Sequence, residues 1–173
     1  MRAIMPLVKA LPLMMVLSLM MSQLPSMIGK ANGAEVIDTQ RLTITKITDG
    51  DSLRSGDIRI RLHGIDAPEM RQMCDHNGAY ACGRAAQAYL ASFLTDGATV
   101  RCEHLDTDRY KRLVMRCYYR GIDISAAMVR AGWALAYRRY AKDYIADEQE
   151  AKAAKRGLWA GTFQTPEAWR RAN

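Results

Sequence analysis

The chain has 173 residues, 25 Lys and Arg against 18 Asp and Glu, a formal net charge of +7, and 49% apolar residues. Setting aside the leader described next, about 140 residues remain, enough for one domain with a sizeable core and too few for several. The positive balance admits an anionic partner such as nucleic acid without requiring one.

Arg2 and Lys9 form a positive start, residues 11–21 (LPLMMVLSLMM) an apolar run, and Ala31-Asn32-Gly33 a set of small residues suited to cleavage. Residues 1–33 therefore read as a signal peptide, with residues 34–173 the single mature domain, secreted or periplasmic. A retained membrane anchor is the rival reading, because no charge falls between Lys9 and Lys30. Pro12, Pro25 and the polar residues of the later half argue against it. Removal leaves 22 basic and 18 acidic residues, a net charge of +4.

Residues 41–50 (RLTITKITDG) alternate apolar with polar at the period of a strand and end on the turn pair Asp49-Gly50. A short second strand, DSLRSG, closes at Ser55-Gly56. In the third, DIRIRLHGI, Ile58, Ile60 and Leu62 face one way and Arg59, Arg61 and His63 the other, so one strand supplies an apolar core face and a cationic outer face. Ala67-Pro68 breaks it, since the residue before proline is held extended and Pro68 has no N–H to donate.

Residues 83–94 (GRAAQAYLASFL) carry Ala86, Tyr89, Leu90 and Phe93 at helical spacing and stop at Asp96-Gly97. Two further strands, ATVRCEHL and RLVMRCYYR, are joined by the polar connection DTDRYK. A short helix over 123–132 ends at Gly132, and a longer one over 143–157 has basic residues in its last turn, which suits the helix dipole. The aromatic tail, residues 158–173, is expected to pack back on the body. Three strands, a helix, two strands and two helices predict an α+β fold: a five-stranded Greek-key β-barrel of OB type with about three helices. An open α+β sheet is the alternative architecture.

Cys74, Cys82, Cys102 and Cys117 are the four cysteines of the mature part. An even number in an exported chain argues for disulfides, with three pairings possible; zinc is disfavoured because no pair has the short spacing of structural sites. Cys74 with Cys82 would close a small loop, and Cys102 with Cys117 would bridge neighbouring strands and stabilise by roughly 3 kcal/mol through loop entropy.

The chemistry concentrates in residues 47–69, ITDGDSLRSGDIRIRLHGIDAPE, where Asp49, Asp51, Asp66 and Glu69 accompany Arg59 and Arg61. Two carboxylates about 4 Å apart repel by roughly 4 kcal/mol at an effective dielectric near 20. If the two acidic turns meet, a hard divalent cation offsets that repulsion, and calcium is favoured over zinc because no histidine or cysteine joins the group. An EF-hand is excluded by Arg54, which stands where a third oxygen ligand belongs. Asp-Gly and Asp-Ala-Pro-Glu also suit ordinary turns. The basic partners favour a site: Arg61 lies five residues before Asp66, and the DTDRYKR connection adds Arg109, Lys111 and Arg112. A cation plus two guanidiniums is what phosphodiester cleavage requires, the metal polarising a phosphoryl oxygen and the planar forks binding the charge that accumulates.

These stretches, followed in order by TDRYKR, MVRAGWA and AKRGLW, resemble the staphylococcal nuclease (thermonuclease) family in its exported bacterial form, over about residues 41–159. The resemblance implies an OB barrel that hydrolyses DNA and RNA with calcium, leaving 3′-phosphate ends, as a monomer without a stable protein partner. By position, Asp51 and Asp66 match the calcium carboxylates and Ala67 a backbone-carbonyl ligand. Glu69 matches the general base, and Arg61 and Arg112 the arginines that stabilise the transition state. Arg109 and Tyr110 match residues that hold a terminal phosphate and the nucleotide, with Asp49 a supporting acid. Two departures stand out: Ala67 replaces a threonine and Lys111 a glycine. The archetype lacks cysteines, so the disulfides rest on export alone. The rival function is a non-catalytic OB domain that grips single-stranded nucleic acid without cutting it.

Overall fold

The computed structural model describes residues 39–95 and 97–173. The expected signal peptide, residues 1–33, lies outside the described residues. In chain order the elements are β1 (Thr39–Thr43), β2 (Lys46–Ile47), β3 (Ser52–Ser55), β4 (Ile58–Leu62), β5 (Ile65–Asp66), β6 (Cys74–Asp75) and β7 (Ala79–Tyr80). They continue with α1 (Cys82–Phe93), β8 (Thr99–Thr107), β9 (Leu113–Tyr119), β10 (Ile122–Asp123), α2 (Ile124–Arg130), β11 (Leu135–Ala136), α3 (Ile145–Ala153), a 3-10 turn (Gly157–Ala160) and α4 (Pro166–Ala172).

This is a mixed α+β fold around one main sheet, ordered β1-β8-β9-β4-β3-β2, with β10 added to β9. All five expected strands lie in it. Among the described residues the main sheet has seven strands rather than five, because the first stretch divides at Ile44 and Thr45, so that β1 pairs with β8 and β2 with β3, and because β10 adds to β9; the pairs β5-β11 and β6-β7 lie outside it. The amides of these two residues turn to different partners, Ile44 donating to Ala98 O at 2.8 Å and Thr45 to Arg54 O at 2.8 Å. The two ends of the sheet path are thus consecutive pieces of one chain segment.

β4 keeps its alternation, with Ile60 and Leu62 buried, Arg59 exposed and Arg61 half-buried. It ends before the sequence suggests, because His63 and Gly64 turn the chain, and Ile65-Asp66 pairs instead with Leu135-Ala136. Ile44, Leu53, Ile60, Leu62, Leu90 and Met115 fill the core between the sheet and the helices. Burying each such side chain stabilises by roughly 1.5–3 kcal/mol.

α1 is alanine-rich, as a strong helix former should be, and buries Ala86 and Leu90. α2 starts where the Asp123 carboxylate accepts the Ala126 N–H at 3.1 Å. Among the described residues there are four helices rather than about three. The fourth, α4, falls in the tail that the sequence reading left without an element. Its start is well marked: Thr165 Oγ1 accepts the Ala168 N–H at 3.3 Å, and Pro166 occupies the first turn. Both expected disulfides are present, Cys74–Cys82 and Cys102–Cys117. The second joins directly opposed residues of β8 and β9. No helix among the described residues is long and apolar enough to cross a membrane.

Candidate active site

Two close approaches bring the acidic turns together. Gly50 lies so near Ala67 and Ala86 that a Cβ on it would stand 2.8 Å and 2.9 Å from their methyl carbons. Any side chain there would push the Asp49–Asp51 turn away from Asp66-Ala67. Gly83, in the first turn of α1, similarly faces the Glu69 carbonyl, which an added Cβ would meet at 1.8 Å.

With the turns seated, the buried Asp51 reaches across them: its Oδ2 accepts the Ala67 N–H at 2.8 Å and its Oδ1 accepts Ser52 Oγ–H at 3.0 Å. Asp66, also buried, lies on β5. Arg61 links the two acids. Its Nη1 pairs with Asp51 Oδ2, and its Nη2 donates to Ile65 O at 3.0 Å and contacts Asp66 Oδ1 at 3.3 Å. Burial pushes the Asp66 carboxyl above its ordinary range, with the Asp51 charge adding to the push and Arg170 and Arg61 opposing it. Burial and the Asp51 charge also raise Asp49 to about 7, and Asp49 Oδ1 accepts the Asp51 N–H at 2.9 Å.

Arg112 reaches the same opening through strand register. The parallel pairing of β4 with β9 sets Ile60 beside Leu113 and Arg61 beside Val114, so the residue before β9 arrives next to β4. Arg112 Nη1 lies 3.5 Å from Ser52 Oγ, and Ser52 pairs with Arg61 across β3 and β4. The turn that aims it closes through Asp108, whose carboxylate accepts the Arg112 Nε–H at 2.7 Å and the Arg112 N–H at 2.9 Å. Burial works against ionisation of Asp108, but these bonds outweigh it and hold the carboxyl below its usual range. Lys111 takes the left-handed conformation, φ 59°, which glycine adopts without cost. The exchange of glycine for lysine therefore leaves the turn intact.

Arg109 and Tyr110 stand apart from the acids. Two guanidiniums lie near the exposed Tyr110 ring, Arg109 at 4.8 Å and Arg112 at 5.5 Å from its centroid, and its hydroxyl accepts from Arg109 at 2.7 Å. Glu69, half-buried, is joined to Asp66 through a residue the sequence reading missed. Arg170 of α4 donates from Nη1 to Asp66 Oδ1 at 2.9 Å and to Glu69 Oε1 at 2.8 Å, and from Nη2 to Asp66 Oδ2 at 3.0 Å. The available signal was Thr165-Pro166-Glu167, a helix start, followed by basic residues one turn later. Among the described residues, no three His, Cys, Asp or Glu side chains converge closely enough to ligate a metal ion as they stand.

Two buried carboxylates, one on the turn before β3 and one on β5, with arginines from β4 and from the turn before β9, define an α+β domain with a charged site at one opening. Residues 59–161 match the staphylococcal nuclease homologue family. The match spans Arg61, Asp66, Glu69, Arg109, Tyr110 and Arg112; Asp51 precedes it and α4 follows it. The chain is 34% identical over 117 residues to the succinoglycan biosynthesis protein ExoI of Rhizobium meliloti, covering 65% of this chain and 61% of that protein. It is 34% identical over 136 residues to an uncharacterized endonuclease of Haemophilus influenzae, 74% of this chain and 71% of that one. To the micrococcal nuclease of Shigella flexneri it is 36% identical over 148 residues, 75% and 80% of the two chains. The chain belongs to the staphylococcal nuclease family of nuclease hydrolases.

Proposed function

We propose that the protein is a calcium-dependent nuclease that hydrolyses DNA and RNA and leaves 3′-phosphate ends. The observation that carries this reading is the bridge Asp51–Arg61–Asp66 with Arg112 at Ser52 beside it: two buried acids and two guanidiniums around one opening. The donor chemistry fits a hard cation, because the candidate ligands are all oxygen donors, two of them buried carboxylates seated on facing turns. Asp51, Asp66 and the Ala67 carbonyl would hold the ion. Bound there, calcium would polarise a phosphoryl oxygen and lower the barrier to attack.

The chain's own residues do the remainder. Glu69 takes a proton from a water, whose oxygen forms a bond to phosphorus in line with the departing 5′ oxygen. As the P–O5′ bond breaks, the 5′ oxygen takes up a proton from solvent water and the phosphate stays on the 3′ side. Arg61 and Arg112 donate to the phosphoryl oxygens as charge builds on them. Arg109 and Tyr110 meet a flanking phosphate and base, the ring offering a stacking face. The five principal strands form a closed OB barrel, for which the adjacency of β1 and β2 along the chain is the support. The two disulfides support export to an oxidising compartment, secreted or periplasmic, after loss of residues 1–33. The domain, 34–173, acts as a monomer.

The test is incubation of the purified protein with denatured DNA in calcium or in chelator, with product ends identified. Degradation in calcium, its loss in chelator, and 3′-phosphate ends are expected. Tight binding of single strands without cleavage at any calcium concentration would instead establish the non-catalytic OB-type binder.

A further inference from the structure

Arg170 reaches the acids along a route fixed to the Glu69 loop at successive points. Thr162 and Asp75 exchange backbone hydrogen bonds at 2.8 Å and 2.9 Å, beside the Cys74–Cys82 bond. Two residues on, the fully buried Gln72 uses both ends of its amide. Its Oε1 accepts the Glu69 N–H at 3.2 Å and its Nε2 donates to Gln164 O at 2.6 Å. α4 starts at once, capped by Thr165, and one turn later the guanidinium meets Asp66 as a two-point fork, the strong form of an arginine–carboxylate pair. Its neighbour Arg171 pairs with Glu167 and is 73% exposed, so α4 directs one of its two arginines into the site.

Both Asp66 oxygens and one Glu69 oxygen accept from Arg170. Those lone pairs are the ones a divalent cation and a water-activating carboxylate need. A guanidinium and a divalent ion carry the same sign of charge, so a fork that takes both Asp66 oxygens competes with the ion for that carboxylate. The grip is also releasable: α4 has seven residues and buries only Pro166, and the Arg170 side chain is 37% exposed.

We propose that Arg170 is a built-in competitor of the catalytic cation, so that α4 acts as a strap whose guanidinium must leave Asp66 and Glu69 before the metal settles, setting the metal threshold of the site. This rests on the calcium reading above. Apparent affinity falls in proportion to the fraction of molecules in which the strap is open, and removing the strap restores it.

Calcium titration calorimetry on the protein and on Arg170→Gln, Arg170→Lys and Arg171→Gln tests this, with hydrogen exchange of α4 measured with and without calcium. Arg170→Gln is expected to bind calcium about tenfold more tightly, Arg170→Lys to fall between, and Arg171→Gln to stay within about twofold of the parent. The α4 amides of the unmutated protein should exchange faster once calcium is added, a readout that needs no variant to fold. Equal affinities for parent and Arg170→Gln, or weaker binding by the variant, overturn the competitor while leaving the calcium reading standing. Absence of calcium binding in every form overturns both.

Discussion

Arg61 and Arg112 bring the same charge to the same opening, yet Arg61 is 13% exposed and gripped by two buried carboxylates, whereas Arg112 is 29% exposed and held by Asp108 of its own turn. One is part of the protein's interior electrostatics. The other belongs to a connection that fixes its direction without supporting the core. A guanidinium that balances buried acids serves stability and chemistry together, and removing it exposes both to loss. A guanidinium on a turn is free to serve the substrate.

Substituting Arg61 tests the contrast hardest. Arg61→Ala leaves Asp51 and Asp66 buried without their shared partner and should destabilise by about 3–5 kcal/mol, read as a lowered urea midpoint, while activity falls by at least about a thousandfold. Arg112→Ala should cost about a hundred- to a thousandfold in rate but less than about 1 kcal/mol in stability. An equal stability loss in the two variants, measured by the same urea titration, would erase the distinction. The smallest effect belongs to the turn itself. Lys111→Gly relieves a left-handed lysine at some cost in unfolded-chain entropy, for a net gain of about 0.5–1 kcal/mol with Arg112 still in place. A loss of stability would mean that the lysine side chain holds the turn by a contact of its own.

Much of this was legible in the sequence because it is local or periodic. The alternation of β4 fixes which way Arg61 faces, and strand neighbours follow closely enough to pair Cys102 with Cys117. The acidic turns announce themselves by composition. What escaped depends on distant pairing or on very short elements. β5 and β11 are two residues each and meet across about half the chain, and that pairing, not any period, seats Asp66. The split of the first strand is set by two amides finding different partners. α4 has too few turns and too little apolar surface for a periodicity to emerge, so its capping residues and the basic pair after them were its one sign, and no local pattern ties Arg170 to Asp66 or Glu69.

Gln72 ties the Glu69 loop to the segment leading into α4 with one neutral amide, so the base of α4 stays joined to the acidic loop even when Arg170 lets go. For anyone who handles this protein, α4 is therefore a poor place to attach a dye or an affinity handle: a label there would pull on the helix whose Arg170 grips Asp66, and would alter the site it was meant only to report.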